Sequence, residues 1–139
     1  DVYKRQVYAL VADVESYPQF VPGCTAARVS AVGEGVIDAS LQVSMGPFSH
    51  WFTTRNTLHS GRRIDLALKD GPFRSLEGAW TFVARPEGGT IIALRLEFDF
   101  RSRLMGRALA PAFSEVAKRM VGAFGDRART LYGPPGAGE

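Results

Sequence analysis

Few side chains in this sequence are equipped for chemistry, and their spacing argues against most of it. His50 and His59 lie nine residues apart, with Trp51, Phe52 and Arg55 between them. On a strand, residues of opposite parity face opposite sides, so the two imidazoles make a poor metal pair. Cys24 is the single cysteine. No base stands near it in sequence, and a buried, inert thiol is the expectation. Asp70 and Glu77 flank a turn that Pro72 pre-sets, so Asp70 reads as a turn cap. Gly88-Gly89 reads as a hairpin, because no phosphate-binding loop follows a strand there. No catalytic residue and no metal site is expected. The chemistry left to the chain is that of apolar surface.

The elements that would carry this surface are legible from period. Val7, Leu10, Val11 and Val14 make one helical stripe, which predicts a helix over 7–17. Tyr17-Pro18 weakens that helix, a second short turn follows through Gln19-Phe20-Val21, and Pro22-Gly23 ends it. Period-two alternation then begins. It runs through Ala27, Val29 and Ala31, then through Ile37, Ala39, Leu41, Val43 and Met45. Residues 49–58 are rich in threonine and aromatics. Ile64, Leu66 and Leu68 alternate next, followed by Leu76, Trp80 and Phe82, and last by Ile92, Leu94, Leu96, Phe98 and Phe100. These are six half-buried antiparallel strands joined by glycine-bearing turns. The period then becomes helical. Leu109, Phe113, Val116, Met120, Phe124 and Leu131 form one stripe, predicting a helix from about Leu104 to Tyr132, roughly 40 Å long. Pro111 falls early in it, and Gly133-Pro134-Pro135-Gly136 stops it. The fold class is α+β, with the sheet's apolar face against the helix stripe.

Composition bounds the function. The chain has 139 residues, 45% of them hydrophobic and 22% charged, which suits one folded domain and not a disordered chain. No apolar run reaches the roughly 18 residues of a membrane span, and no basic-then-apolar leader is seen. The lone cysteine fits a reducing compartment. The expected location is the cytoplasm, peripheral on the inner membrane. The net charge of +3 is uneven. Arg101, Arg103, Arg107, Lys118, Arg119, Arg127 and Arg129 stand against Glu115 and Asp126, so this segment carries +5 and the rest −2. Such a segment is either a solvated helix face or a contact for an anionic partner, phospholipid or ribosomal RNA.

Four stretches carry a resemblance. They are VYALVADVESYPQFVPGC at 7–24, FTTRNTL at 52–58, DGPFRSLEGAWTF at 70–82 and LEFDFRSRLMGRALAPAFSEVAKRMVGAFGDRARTLYG at 96–133. In this order they resemble the coenzyme Q-binding START-like proteins of the polyketide cyclase (SRPBCC) class, a family shared with the bacterial ribosome association toxin. The resemblance implies a helix-grip fold, a curved antiparallel sheet wrapped around the long C-terminal helix, with an apolar tunnel between them. It also implies a strand ahead of the first helix. Here only Asp1 to Gln6 precede Val7. The expected organisation is therefore a leader or truncated first strand at 1–6, one domain at 7–133 and a flexible tail at 134–139. Relatives also often carry a tryptophan where this chain has Gly23, which would leave a ligand entrance more open.

In the quinone-binding branch the tunnel is thought to hold ubiquinone in support of respiratory electron transport. The toxin branch is named for blocking association of ribosomal subunits. The inward faces supply walls for such a ligand: Val43, Met45, Leu66, Trp80, Phe82, Leu94, Leu96 and Phe98 from the sheet, and Met105, Leu109, Phe113 and Met120 from the helix. The methionines suit a flexible ligand chain. Arg101, Arg103 and Arg107 cluster where the last strand meets the helix, placed to touch an anionic membrane or RNA. The expectation is a non-enzymatic binder of ubiquinone or a similar lipid, with a ribosome-directed module as the alternative and a cyclase-like enzyme as a weaker third.

Overall fold

The computed structural model describes residues 2–133. Helix α1, Val2–Ala12, opens the chain, and a short 3-10 helix, Val14–Gln19, follows it. Six strands come next: β1 Cys24–Gly33, β2 Val36–Met45, β3 Phe48–His59, β4 Arg63–Asp70, β5 Phe73–Ala84 and β6 Thr90–Phe100. Helix α2, Arg103–Tyr132, ends the described chain. The strands form one sheet in sequence order, each antiparallel to its neighbours. No helix among the described residues is long and apolar enough to cross a membrane.

The first helix begins earlier than the stripe from Val7 predicts. Residues 2–6, expected as a leader or truncated strand, form its first turns, and Tyr3 is buried. The apolar spacing explains both the start and the break. Tyr3, Val7 and Val11 recur every four residues, as an α-helix requires. Val14 and Tyr17 then follow at intervals of three, the repeat of a 3-10 helix, and both are buried. The helix therefore stops at Ala12 and tightens, instead of running to 17. The proposed tail at 134–139 lies outside the described residues.

Two glycines let neighbouring segments of the sheet approach closely. Gly71, in the β4–β5 turn, has φ of +138°, and a Cβ there would stand 2.7 Å from the Phe52 Cβ. Asp70 caps this turn by accepting from the Gly71 N–H at 2.9 Å. Gly78 sits mid-strand opposite Leu96 and Leu66. A Cβ there would fall 2.0 Å from the Arg95 carbonyl oxygen, so only glycine allows β6 to approach this closely.

Helix α2 is set against the sheet by aromatic contacts at two levels. Ser102 caps its start by accepting from the Met105 N–H. Phe113 lies among Phe52, Phe73, Phe98 and Phe100, at ring separations of 5.8, 5.2, 4.8 and 6.2 Å. About three turns on, Phe124 is wholly buried against Tyr17, Phe20 and Trp80, at 5.0, 5.3 and 5.3 Å. Leu109 and Ala128 complete the buried stripe. The stripe does not extend to Leu131, which is 48% exposed, because Ala128 takes the inward position in the last turns. Pro111 does not stop the helix. It lies on the exposed side with Arg107, whose carbonyl loses the backbone donor that any other residue at 111 would supply.

Since Phe113 is the ring that α2 contributes to this cluster, Phe113→Ala should destabilise the protein by about 3–5 kcal/mol in denaturant unfolding. A loss below about 1 kcal/mol would show that this ring does not hold the helix to the sheet.

Candidate functional site

A cavity of about 70 Å³, the space open to the centre of a water-sized sphere, lies between the sheet and the middle of α2. It falls between the two aromatic levels. There α2 offers Val116, Ala117 and Met120 in place of rings. The floor comes from the inward faces of five strands, with Ala39, Leu41 and Val43 on β2 and Leu66, Leu76, Leu94 and Leu96 beyond β3. Small side chains such as Ala39 and Ala117 fail to fill what Phe113 and Phe124 hold open. Tyr17 and Phe52 border the space.

Of the twelve apolar positions expected to line a ligand site, six meet at this cavity: Val43, Leu66, Leu94, Leu96, Phe113 and Met120. The other six sit elsewhere. Trp80 packs edge-on against Phe124, and Phe82 packs edge-on against Tyr8 at 5.3 Å. Met45 and Leu109 are buried in the core, and Met105 packs half-buried against it. Phe98 packs on Phe113 and opens onto a separate groove. These residues share the inward face with the cavity wall, but large side chains fill space and the void is shorter than the sheet.

β3 supplies what the pattern did not reveal. Thr54 and Asn56 point inward, are 7% and 6% exposed, and line the cavity. The Thr54 hydroxyl donates to the Asn56 Oδ1 at 2.6 Å. Their polarity broke the alternation of β3. The signal available was parity: on a strand, Thr54 and Asn56 share a face with Phe52 and Leu58.

The wall holds no acid or base apart from Tyr17. Its hydroxyl donates to the Val11 carbonyl, and burial pushes its pKa far above the ordinary phenol range. Cys24 is buried, and burial raises its pKa also, so the thiol stays protonated and unreactive at neutral pH. His59 pairs with Asp65 at 2.8 Å. Among the described residues no three His, Cys, Asp or Glu side chains converge as a metal site. Gly23 borders the cavity wall: with φ of +82°, a Cβ there would lie 3.8 Å from Val116.

The basic residues gather at the end of the sheet where β6 meets α2. Arg103 and Arg107 line an open groove of about 490 Å³ together with Arg74 from β5. All three arginines are exposed, and the Arg74 guanidinium stands 3.6 Å from the Asp99 carboxylate. Arg101 does not line this groove. Its Nε donates to the Phe73 carbonyl at 3.2 Å, and its backbone N–H donates to the Pro72 carbonyl. Leu104, between these arginines in sequence, is 80% exposed.

An antiparallel sheet gripping one long C-terminal helix, with an apolar cavity between them, defines a START-like helix-grip protein. The chain belongs to the family described as polyketide cyclase/dehydrase and lipid transport, whose profile matches residues 2–125. It is 43% identical to the ribosome association toxin RatA of Pseudomonas aeruginosa, over 93% of this chain and 90% of that one. It is 32% identical to the mitochondrial coenzyme Q-binding protein COQ10 homolog B of Xenopus laevis, over 93% of this chain and 54% of the relative. The fold matches a START superfamily protein from Mycobacterium smegmatis with a TM-score of 0.77 at 19% identity, covering 92% of this chain and 90% of that chain.

Proposed function

We propose that this protein binds an apolar, lipid-like molecule without transforming it, and that the ligand is ubiquinone or a similar polyprenyl lipid used in respiratory electron transport. The observation that carries this reading is the cavity wall: apolar side chains on all sides, one neutral polar pair and no pair of acids or bases. A cyclase would need such groups placed against its substrate. A binder of an apolar ring needs them absent, since each unpaired buried polar group costs a few kcal/mol. The similarity to a coenzyme Q-binding protein supports the same ligand class. An engineered apolar cavity of roughly 150 Å³ admits benzene. A quinone ring therefore enters the smaller space here by displacing side chains, and unbranched, half-buried Met120 is the one best able to move.

A second reading has its own support. The relative at 43% identity is named for ribosome association, and α2 presents exposed Arg103, Arg107, Lys118 and Arg119. This would be recognition of RNA by charge and shape, on a surface apart from the cavity.

Organic extraction of the purified protein followed by mass spectrometry should recover a bound polyprenyl quinone. Leu96→Arg should lose it, because the substitution strands a charge in an apolar wall. Undiminished binding by a folded Leu96→Arg protein would contradict the site. The basic end separates the two readings. A carrier must meet a bilayer, and each basic residue near an anionic surface contributes about 1 kcal/mol, screened by salt. Flotation with anionic liposomes should weaken with salt and fall in the Arg101→Gln, Arg103→Gln, Arg107→Gln triple variant. Protein that ignores liposomes but sediments with ribosomal subunits would replace the carrier reading with the ribosomal one.

A further inference from the structure

Asn56 stands where a strand would ordinarily place an apolar residue. It lies on a central strand, paired with Ile37 on β2 and Leu66 on β4, and its side chain enters the core face. Asparagine is depleted in strands, and its amide carries two donors that burial leaves in need of acceptors. The Asn56 Oδ1 is engaged by the Thr54 hydroxyl. Among the described residues no acceptor bonds to the amide nitrogen, which keeps some accessible surface; the fully buried side-chain atoms without a partner are Thr90 Oγ1 and Arg127 Nε. The third polar side chain of the wall, Tyr17, is committed to the Val11 carbonyl. The cavity therefore holds one unengaged donor group in an apolar surround, fixed in direction by Thr54 from two residues away on the same face.

We infer that the Asn56 amide is the orienting group of the cavity: its N–H donates to a carbonyl oxygen on the ligand's ring, and the rest of the ring lies against Leu94, Leu96, Phe113 and Met120. This rests on the reading of the cavity as a ligand site, and it narrows the ligand class. The occupant is an apolar ring bearing a hydrogen-bond acceptor, such as a quinone, and not a plain hydrocarbon chain. Without ligand, only water can partner the amide. A carbonyl that takes over that hydrogen bond displaces the water at little cost, whereas a hydrocarbon leaves the donor stranded. Thr54 is a positioning residue, since its hydroxyl acts through Asn56.

The test compares two probes of similar shape, decyl-ubiquinone and decylbenzene, on wild type and Asn56→Leu. Leucine has the same number and branching of side-chain heavy atoms as asparagine and suits this apolar strand position. Wild type should prefer the quinone. Asn56→Leu should weaken quinone binding roughly three- to tenfold, as expected for the loss of one neutral hydrogen bond, and leave decylbenzene unchanged or tighter. The infrared carbonyl band of the bound quinone should lie below its position in a dry hydrocarbon solvent, and should return toward that position in Asn56→Leu. Equal quinone affinity in both proteins, with an unshifted band, would overturn the assignment while leaving the apolar cavity intact as a binding site. Failure of wild type to bind either probe would overturn the cavity reading itself. Should Asn56→Leu not fold, the wild-type carbonyl band decides alone: unshifted, it removes the hydrogen bond proposed.

Discussion

Phe113 and Phe124 project from one side of α2, about three turns apart, and each is locked into its own group of rings. Rings are stiff and bulky, so the two contacts set the distance between helix and sheet along the whole span. Between them the helix carries Val116, Ala117 and Met120, which are too small or too flexible to fill that distance. The cavity follows from this spacing. A tightly packed interior normally leaves few voids larger than a water molecule, and one placed between two rigid supports is a built feature of the fold. Gly78 lets β6 approach β5 closely, and Gly71 lets the β4–β5 turn pass against Phe52.

Much of this architecture was legible in the sequence because most strands have one wet face and one dry one. The alternation through Ile37 to Met45 and through Ile92 to Phe100 marked the inward residues correctly, and the change to helical spacing after Phe100 marked α2 to within a residue or two. The start of α1 was hidden because Lys4, Arg5 and Gln6 separate Tyr3 from Val7 with polar residues. The exchange of Leu131 for Ala128 was hidden for a different reason. Hydrophobicity ranks leucine above alanine, but the helix turns alanine inward there, and packing geometry settles the matter.

The site was legible only in part. Period shows which face a residue occupies, not how far along the face a void extends. Trp80, Phe82 and Leu96 therefore looked equivalent, although the first two fill space and the third borders it. Thr54 and Asn56 were obscured by their own chemistry: a buried polar pair interrupts the pattern that would have located it. The arginines at the β6–α2 junction were recognisable as a charge cluster, but the strand pairing that adds Arg74 and ties back Arg101 is a tertiary fact.

The central claim is that the space between the two aromatic supports receives the ligand. The most direct measurement is methyl NMR of the protein titrated with a short-chain ubiquinone. The account predicts saturable shifts at Leu96, Val116, Ala117 and Met120, with Val32 and Val83, both exposed and remote from the cavity wall, unchanged. Shifts confined to Leu104 and Ala110 beside the arginine groove, with the cavity methyls silent, would contradict it.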